Sequence, residues 1–156
     1  MYIWKIENLN EQLIAGDLPE RDAFKYLLAS STLHALSIIQ ISVTNSINIW
    51  GELISGMISL LGIYFIYTCN GGDQGQKFLN RYIAISLVVY IRIIALLLIP
   101  SKIIIVALQS KYAEELFYAS DAIELVHNSI IQVTIIFYIA FNINKVARSA
   151  HRYKNK

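Results

Sequence analysis

The sequence predicts an all-α integral membrane protein: a four-transmembrane-helix bundle preceded by a short N-terminal amphipathic helix. Hydrophobic residues make up 56% of the 156 residues and charged residues only 15%, whereas a soluble domain carries about 25% charged residues. The apolar residues also fall into four blocks, each close to the roughly 20 residues that cross a bilayer. Both observations favour a multi-pass membrane protein over a soluble core.

Three regions follow from this pattern. Residues 1–24 form a cytoplasmic amphipathic segment, residues 25–145 hold the four spans, and residues 146–156 form a basic cytoplasmic tail. The predicted spans cover residues 26–47, 50–69, 82–99 and 122–143.

The first segment predicts a helix over residues 2–15 that ends at Gly16. Its apolar face consists of Ile3, Ile6, Leu9 and Leu13, with Glu7, Asn10 and Glu11 largely opposite. Such a helix either packs beneath the bundle or lies in the membrane interface, where Trp4 suits the headgroup level.

The first span begins after a helix start at residues 17–20, where Asp17 caps and Pro19 occupies the first turn. The span is unusually polar. Its polar residues recur at helical spacing and predict a stripe that faces other helices or water: Ser30, His34, Ser37, Thr44 and Asn48.

The second span carries a stripe of small residues, which let two helix backbones approach closely in lipid. We expect this helix-packing face to comprise Gly51, Ser55, Ser59 and Gly62. The Gly-rich segment 70–75 then predicts a helix connection. It is not a phosphate-binding loop, because no Lys-Ser/Thr pair follows it.

Pro100 is expected to end or kink the third span. Residues 103–117 then either lie in the outer interface or extend that span. The fourth span starts after Asp121 and contains Glu124, His127, Asn128 and Gln132.

The distribution of basic residues predicts the orientation. Ten of the 13 Lys and Arg residues fall on the side of both termini, two on the other side, and Arg92 within the membrane. Because basic residues collect in cytoplasmic segments, both termini are expected in the cytoplasm, in a plasma or bacterial inner membrane.

Arg92 is the costliest residue in this arrangement. It lies about 16 Å from Arg81 along a helix, near the middle of a roughly 30 Å hydrocarbon core. An ion pair with Glu124 is favoured, with His127, Asn128 and Gln132 completing the cluster, and Glu52 is the other candidate. Alternatively, Arg92 snorkels or pairs only to fix the packing.

No catalytic, metal or cofactor site is predicted. His34 and His127 differ by about 9 Å in expected depth, which fits paired haem ligands poorly, and Cys69 has no histidine nearby in sequence. The basic tail is better explained by orientation and anionic lipid than by nucleic acid.

Two functions remain open for such a chain. The polar stripe and the Arg92 cluster favour a homo-oligomeric pore, channel-like or membrane-permeabilising protein. The alternative is a non-conducting accessory, scaffold or sensor subunit that docks another membrane or cytoplasmic protein. An enzyme is not expected, because the sequence lacks a cytoplasmic cluster of His and carboxylate residues.

Overall fold

The computed structural model describes the backbone of residue 2 and of residues 4–16, 18–44, 49–111 and 120–154. Within these ranges, the description excludes the side chains of residues 34–44, 49, 52, 109–111, 120–122, 124, 153 and 154. Every regular element described is helical, in agreement with the all-α part of the prediction. The helices are α1 Ile6–Ala15, α2 Glu20–Thr44, α3 Ile49–Cys69, α4 Phe78–Ile93, α5 Ile99–Lys111 and α6 Ser120–Lys154.

Two helical stretches of the described chain, Phe78–Leu108 and Leu125–Arg152, are long and apolar enough to cross a membrane. Leu53–Cys69 is also apolar but shorter. At about 1.5 Å per residue, the first two stretches measure roughly 46 and 42 Å. Both exceed a hydrocarbon core of about 30 Å. That the chain crosses the membrane four times therefore remains a prediction.

The third predicted span does not end at Pro100. A π-helical turn, Ile94–Leu98, joins α4 directly to α5, and the helix continues to Lys111. Proline lacks the N–H that an α-helical turn needs, and the wider turn before it adjusts the local hydrogen bonding. Residues 103–111 therefore extend the third helix, and residues 112–117 lie outside the described part.

The fourth predicted span likewise continues beyond its expected end. The single 35-residue helix α6 begins at Ser120 and runs to Lys154, through most of the segment predicted as a basic tail. Val146 in that segment is fully buried. Basic residues and a buried apolar stripe thus share the same helical turns, and the count of positive charge alone does not reveal the stripe.

Helix α1 ends at Gly16, as predicted, with Gly16 in the left-handed conformation (φ 77°), but it begins at Ile6 and not at residue 2, where the prediction was wrong. Ile6, Leu9 and Leu13 are buried. Asn10, expected on the polar face, is buried too and donates from Nδ2 to Oδ1 of Asn142 at 2.9 Å. Position 10 lies four residues after Ile6 and three before Leu13, which places it on the buried face.

Helix α1 lies against α4 and α6 rather than at the edge of the bundle. The Trp4 carbonyl accepts a hydrogen bond from Arg92, and the Gly16 carbonyl accepts one from Lys77 at 3.1 Å. Since Arg92 and Lys77 are 15 residues apart, α1 runs antiparallel to α4 along about four turns. It occupies the groove between α4 and α6.

This part of the bundle, comprising α1, α4 (Phe78–Ile93) and residues 138–154, is called the inner half below. The described core lies in it and in the parts of α2 and α3 beside it. Its buried hydrophobic members are Ile6, Leu9, Leu13, Tyr26, Ile66, Ala84, Ile85, Leu87, Val88, Val89, Ile93, Ile139, Ala140, Ile143 and Val146.

The opposite end of the described helices, comprising residues 49–65, 94–111 and 120–137, is called the outer half, and it carries most of the exposed large hydrophobic side chains. They run from Leu96 to Leu108 through the π-helical turn and α5, and from Val126 to Phe137 on α6, whereas Leu79, Tyr90 and Phe141 are exposed on the inner half. Helix α3 exposes a further set between Trp50 and Phe65. The described chain therefore changes from a buried core to an apolar surface at the level of Arg92.

Candidate functional site

Gln132 of α6 is held by the small polar residues of α3. Its Nε2 donates to Oγ of Ser59 at 2.6 Å and to the Ser55 carbonyl at 2.9 Å. Ser55 Oγ in turn donates to Gln132 Oε1 at 3.2 Å. All these partners lie within the chain, so Gln132 fastens α3 to α6.

The remaining small residues of α3 belong to the same contact. A Cβ on Gly62 would overlap the side chain of Ile136, lying 2.8 Å from Cγ1. Gly51 is half-buried. The rings of Phe65 and Phe137 meet edge to face with centroids 5.6 Å apart. The predicted packing stripe thus faces α6 at Ser55, Ser59 and Gly62.

His127 bridges α6 and α5. Its Nε2 lies 2.8 Å from Oγ of Ser101, and its Nδ1 lies 3.3 Å from Oδ1 of the adjacent Asn128. Ser101 also donates to the Leu98 carbonyl at 3.0 Å, beside the π-helical turn. Asn128 itself is exposed. This arrangement joins two helices where Pro100 removes a backbone donor.

Arg92 contacts the N-terminal segment and α6. Its Nη1 donates to the Tyr138 hydroxyl at 3.2 Å and its Nη2 to the Trp4 carbonyl, while its buried Nε has no hydrogen-bond partner among the described residues. The two carboxylates proposed as its partners, Glu124 and Glu52, have side chains outside the described part, so both pairings stay predictions.

Most of the polar stripe of the first span also lies outside the described side chains. Ser30 is half-buried on α2. The side chains of His34, Ser37 and Thr44 and the whole of Asn48 fall outside the description. The residues predicted to form one cluster with Arg92 therefore make separate contacts. Arg92 contacts Trp4 and Tyr138. Gln132 contacts the small residues of α3, and His127 contacts Ser101.

The inner end of the bundle holds a polar site that sequence reasoning missed. Arg81, only 5% exposed, donates from Nη1 to Oδ1 of Asn70 at 2.8 Å. Lys77, exposed and beside the Gly16 carbonyl, lines the same recess as Arg81. A sequence signal existed, because the basic pair Lys77 and Arg81 is spaced four residues apart at the start of α4.

One exposed ion pair lies near the start of α2, where Lys25 Nζ is 2.7 Å from Oδ1 of Asp22. The hydrogen bond from Lys25 lowers the pKa of the Asp22 carboxyl. Its small contribution to stability is therefore complete above the unfolded pKa, about 3.8, and is lost as the pH falls through the lowered value.

Among the described residues, no group of three or more His, Cys, Asp or Glu side chains is placed to hold a metal ion. Comparison of the chain with protein-family models, curated proteins and solved structures gave no match. The contacts described above act chemically as hydrogen-bonded links between helices, with a separate basic recess at the inner end.

Proposed function

We propose that this chain is a multi-pass membrane protein whose inner half stands outside the bilayer and serves as a docking or sensing module. The module is non-conducting. The observation that carries the proposal is the packing of α1 into the inner half, which fills its core and leaves charged residues on its surface.

The surface charges support a bilayer boundary near Arg92. Glu7 and Glu11 of α1 are exposed between the levels of Arg92 and Lys77. Lys145 and Arg148 of α6 are exposed as well, beyond the Asn10–Asn142 contact. Each charge buried in hydrocarbon costs at least about 2.5–3.5 kcal/mol. Together they favour water around the inner half.

Aromatic residues at the same level support this boundary. Trp4 and Tyr90 are exposed there, Tyr138 binds Arg92, and the Tyr2 N–H donates to the Tyr26 hydroxyl at 2.8 Å. Trp and Tyr collect where lipid meets water, and arginine reaches toward the headgroups. This placement moves the boundary outward by about 16 Å from the Arg81 level that charge counting predicts.

An apolar patch on α2 lies beside the module, at the proposed bilayer boundary, and supplies a docking surface. Phe24, Leu27 and Leu28 are exposed there, within one helical turn of Tyr26. Exposed large apolar side chains beside charged residues are typical of surfaces that bind a partner. The proposed occupant is a second copy of this chain or an apolar helix of another membrane or cytoplasmic protein.

A pore is the second candidate. Asn128 is exposed on the otherwise apolar outer surface of α6, and the first span is rich in polar residues. The core of the inner half is filled by side chains such as Val88 and Ile143, both fully buried, so a conducting path past this half would have to form between copies. In that case both termini still face the cytoplasm, and several copies close a ring.

Native mass spectrometry in nanodiscs, combined with ion flux from liposomes, separates the two functions. We expect one or two copies per particle and no flux above that of empty vesicles, with gramicidin as the positive control. A ring of several copies whose flux changes in Arg92→Leu or Asn128→Leu would contradict the non-conducting proposal and support the pore.

A further inference from the structure

Arg81 is a buried cation held by a neutral partner. Its described hydrogen bond goes to the amide oxygen of Asn70, and its Nε is buried with no partner among the described residues. Burial of a guanidinium costs free energy unless an anion or several hydrogen bonds offset it. Among the described side chains, the one ion pair is that of Lys25 with Asp22, so none neutralises Arg81.

The recess in front of Arg81 is lined by a second cation. Its walls are Leu13, Gly16, Leu18, Lys77, Asn80 and Arg81. Lys77 and Asn80 are exposed, so the recess opens at the surface. The recess is thus lined by a guanidinium, an ammonium group and a side-chain amide, and cationic N–H donors of this kind match the acceptor oxygens of a phosphate.

Backbone geometry holds these groups in place. Lys77 adopts the left-handed conformation (φ 55°), and its carbonyl accepts the Arg81 N–H at 3.1 Å. A Cβ on Gly16 would lie 3.0 Å from Lys77 Nζ. A Cβ on Gly75 would overlap the side-chain amide of Asn70. The glycines therefore leave room for both the lysine and the partner of the buried arginine.

We propose that this recess binds a phosphate group, with Arg81 and Lys77 as its ligands. The inference does not depend on whether the chain conducts. The phosphate has two sources: an anionic lipid headgroup, if the bilayer boundary lies near Arg81, or a soluble phosphate compound, if it lies near Arg92. Both offer the same oxygens to the same two side chains.

The test uses the full chain in detergent and in nanodiscs. Thermal unfolding in detergent is followed with added inorganic phosphate against chloride at equal ionic strength. Native mass spectrometry then compares lipid retention from nanodiscs of phosphatidylcholine alone and with phosphatidylglycerol. The variant is Lys77→Gln at an exposed position, its unfolding midpoint without phosphate reports whether it folds as wild type does, and Arg148→Gln is the control with the same change of charge.

Phosphate is expected to raise the midpoint of wild type and of Arg148→Gln, and Lys77→Gln is expected to need at least about tenfold more phosphate. That result supports a phosphate site in the recess, and without selective retention of phosphatidylglycerol it assigns a soluble ligand. Retained phosphatidylglycerol that is lost in Lys77→Gln, without a phosphate effect in detergent, assigns the lipid source. The site would be overturned if Lys77→Gln and Arg148→Gln responded equally to phosphate and to phosphatidylglycerol. It would also be overturned if wild type neither was stabilised by phosphate nor retained phosphatidylglycerol.

Asp17 supplies a further check, because it lies between two lining residues in sequence and outside the described part. If Asp17 neutralises Arg81, Asp17→Asn and Arg81→Gln should destabilise the protein by the same amount, and the double variant should be no less stable than either single variant. Phosphate should then stabilise Asp17→Asn but not wild type. That pattern in place of phosphate binding by wild type would also overturn the proposal.

Discussion

Replacement of Leu9 by alanine is expected to lower the free energy of unfolding by about 2–5 kcal/mol. Leu9 is fully buried, and it belongs to the core formed by α1, α4 and α6. Truncation of its side chain removes apolar contacts and leaves a cavity in a region that has little freedom to collapse. Unfolding followed in mild detergent measures the loss.

Asn8→Ala is the matched control, since Asn8 is exposed on the same helix. We expect it to change stability by no more than about 0.5 kcal/mol. If Leu9→Ala lowered the free energy of unfolding no more than Asn8→Ala does, α1 would lie on the bilayer surface instead of in the bundle. That was the other arrangement that its amphipathic pattern allowed.

Gly62→Ala is expected to destabilise the contact between α3 and α6 by about 1–3 kcal/mol. The new methyl group would overlap the side chain of Ile136, so either Ile136 changes rotamer or the two helices separate. Separation would also stretch the bonds from Gln132 to Ser55 and Ser59. The free energy of unfolding in detergent measures the change.

Gly56→Ala provides the internal comparison on the same helix. A Cβ on Gly56 meets nothing within 4 Å, so the substitution should stabilise α3 by about 0.5–1 kcal/mol through helix propensity. Ile136→Val should restore part of the loss in Gly62→Ala. Identical effects of the two glycine substitutions would place the α3–α6 contact elsewhere.

The helical class, the bounds of α3 and the end of α1 at Gly16 follow from local patterns in the sequence. Apolar periodicity, a left-handed glycine and a Gly-rich break at residues 70–75 are short-range signals, and the structure agrees with each. The small-residue stripe is equally local, because its members share one face of a single helix.

Tertiary packing decides the features that the sequence did not predict. Asn10 is polar, yet it is buried because Asn142, 132 residues away, supplies its partner. The helix continues through Pro100 because a π-helical turn precedes that residue. Arg92 meets Trp4 and Tyr138, neither of them charged. No pattern within one segment reports such partners.

The depth of the bundle is the other long-range property. Charge counting treats each basic residue as a marker of the membrane edge, which sets the boundary at Arg81 and counts residues after 145 as a tail. In the structure, α1 lies beside α4 between Lys77 and Arg92, and α6 carries exposed cations alongside a buried stripe. Only the pairing of these helices indicates that the charges surround a packed module.

Cysteine accessibility in nanodiscs tests the proposed boundary most directly. In a Cys69→Ser background, single cysteines replace the exposed residues Glu11 and Arg148 of the inner half and Ile103 and Ile130 of the outer half. With a membrane-impermeant maleimide, the first pair should label as fast as in unfolded protein, and the second pair should remain protected. Protection of Glu11→Cys and Arg148→Cys equal to that of Ile103→Cys would place the inner half within the bilayer and contradict a docking module outside it.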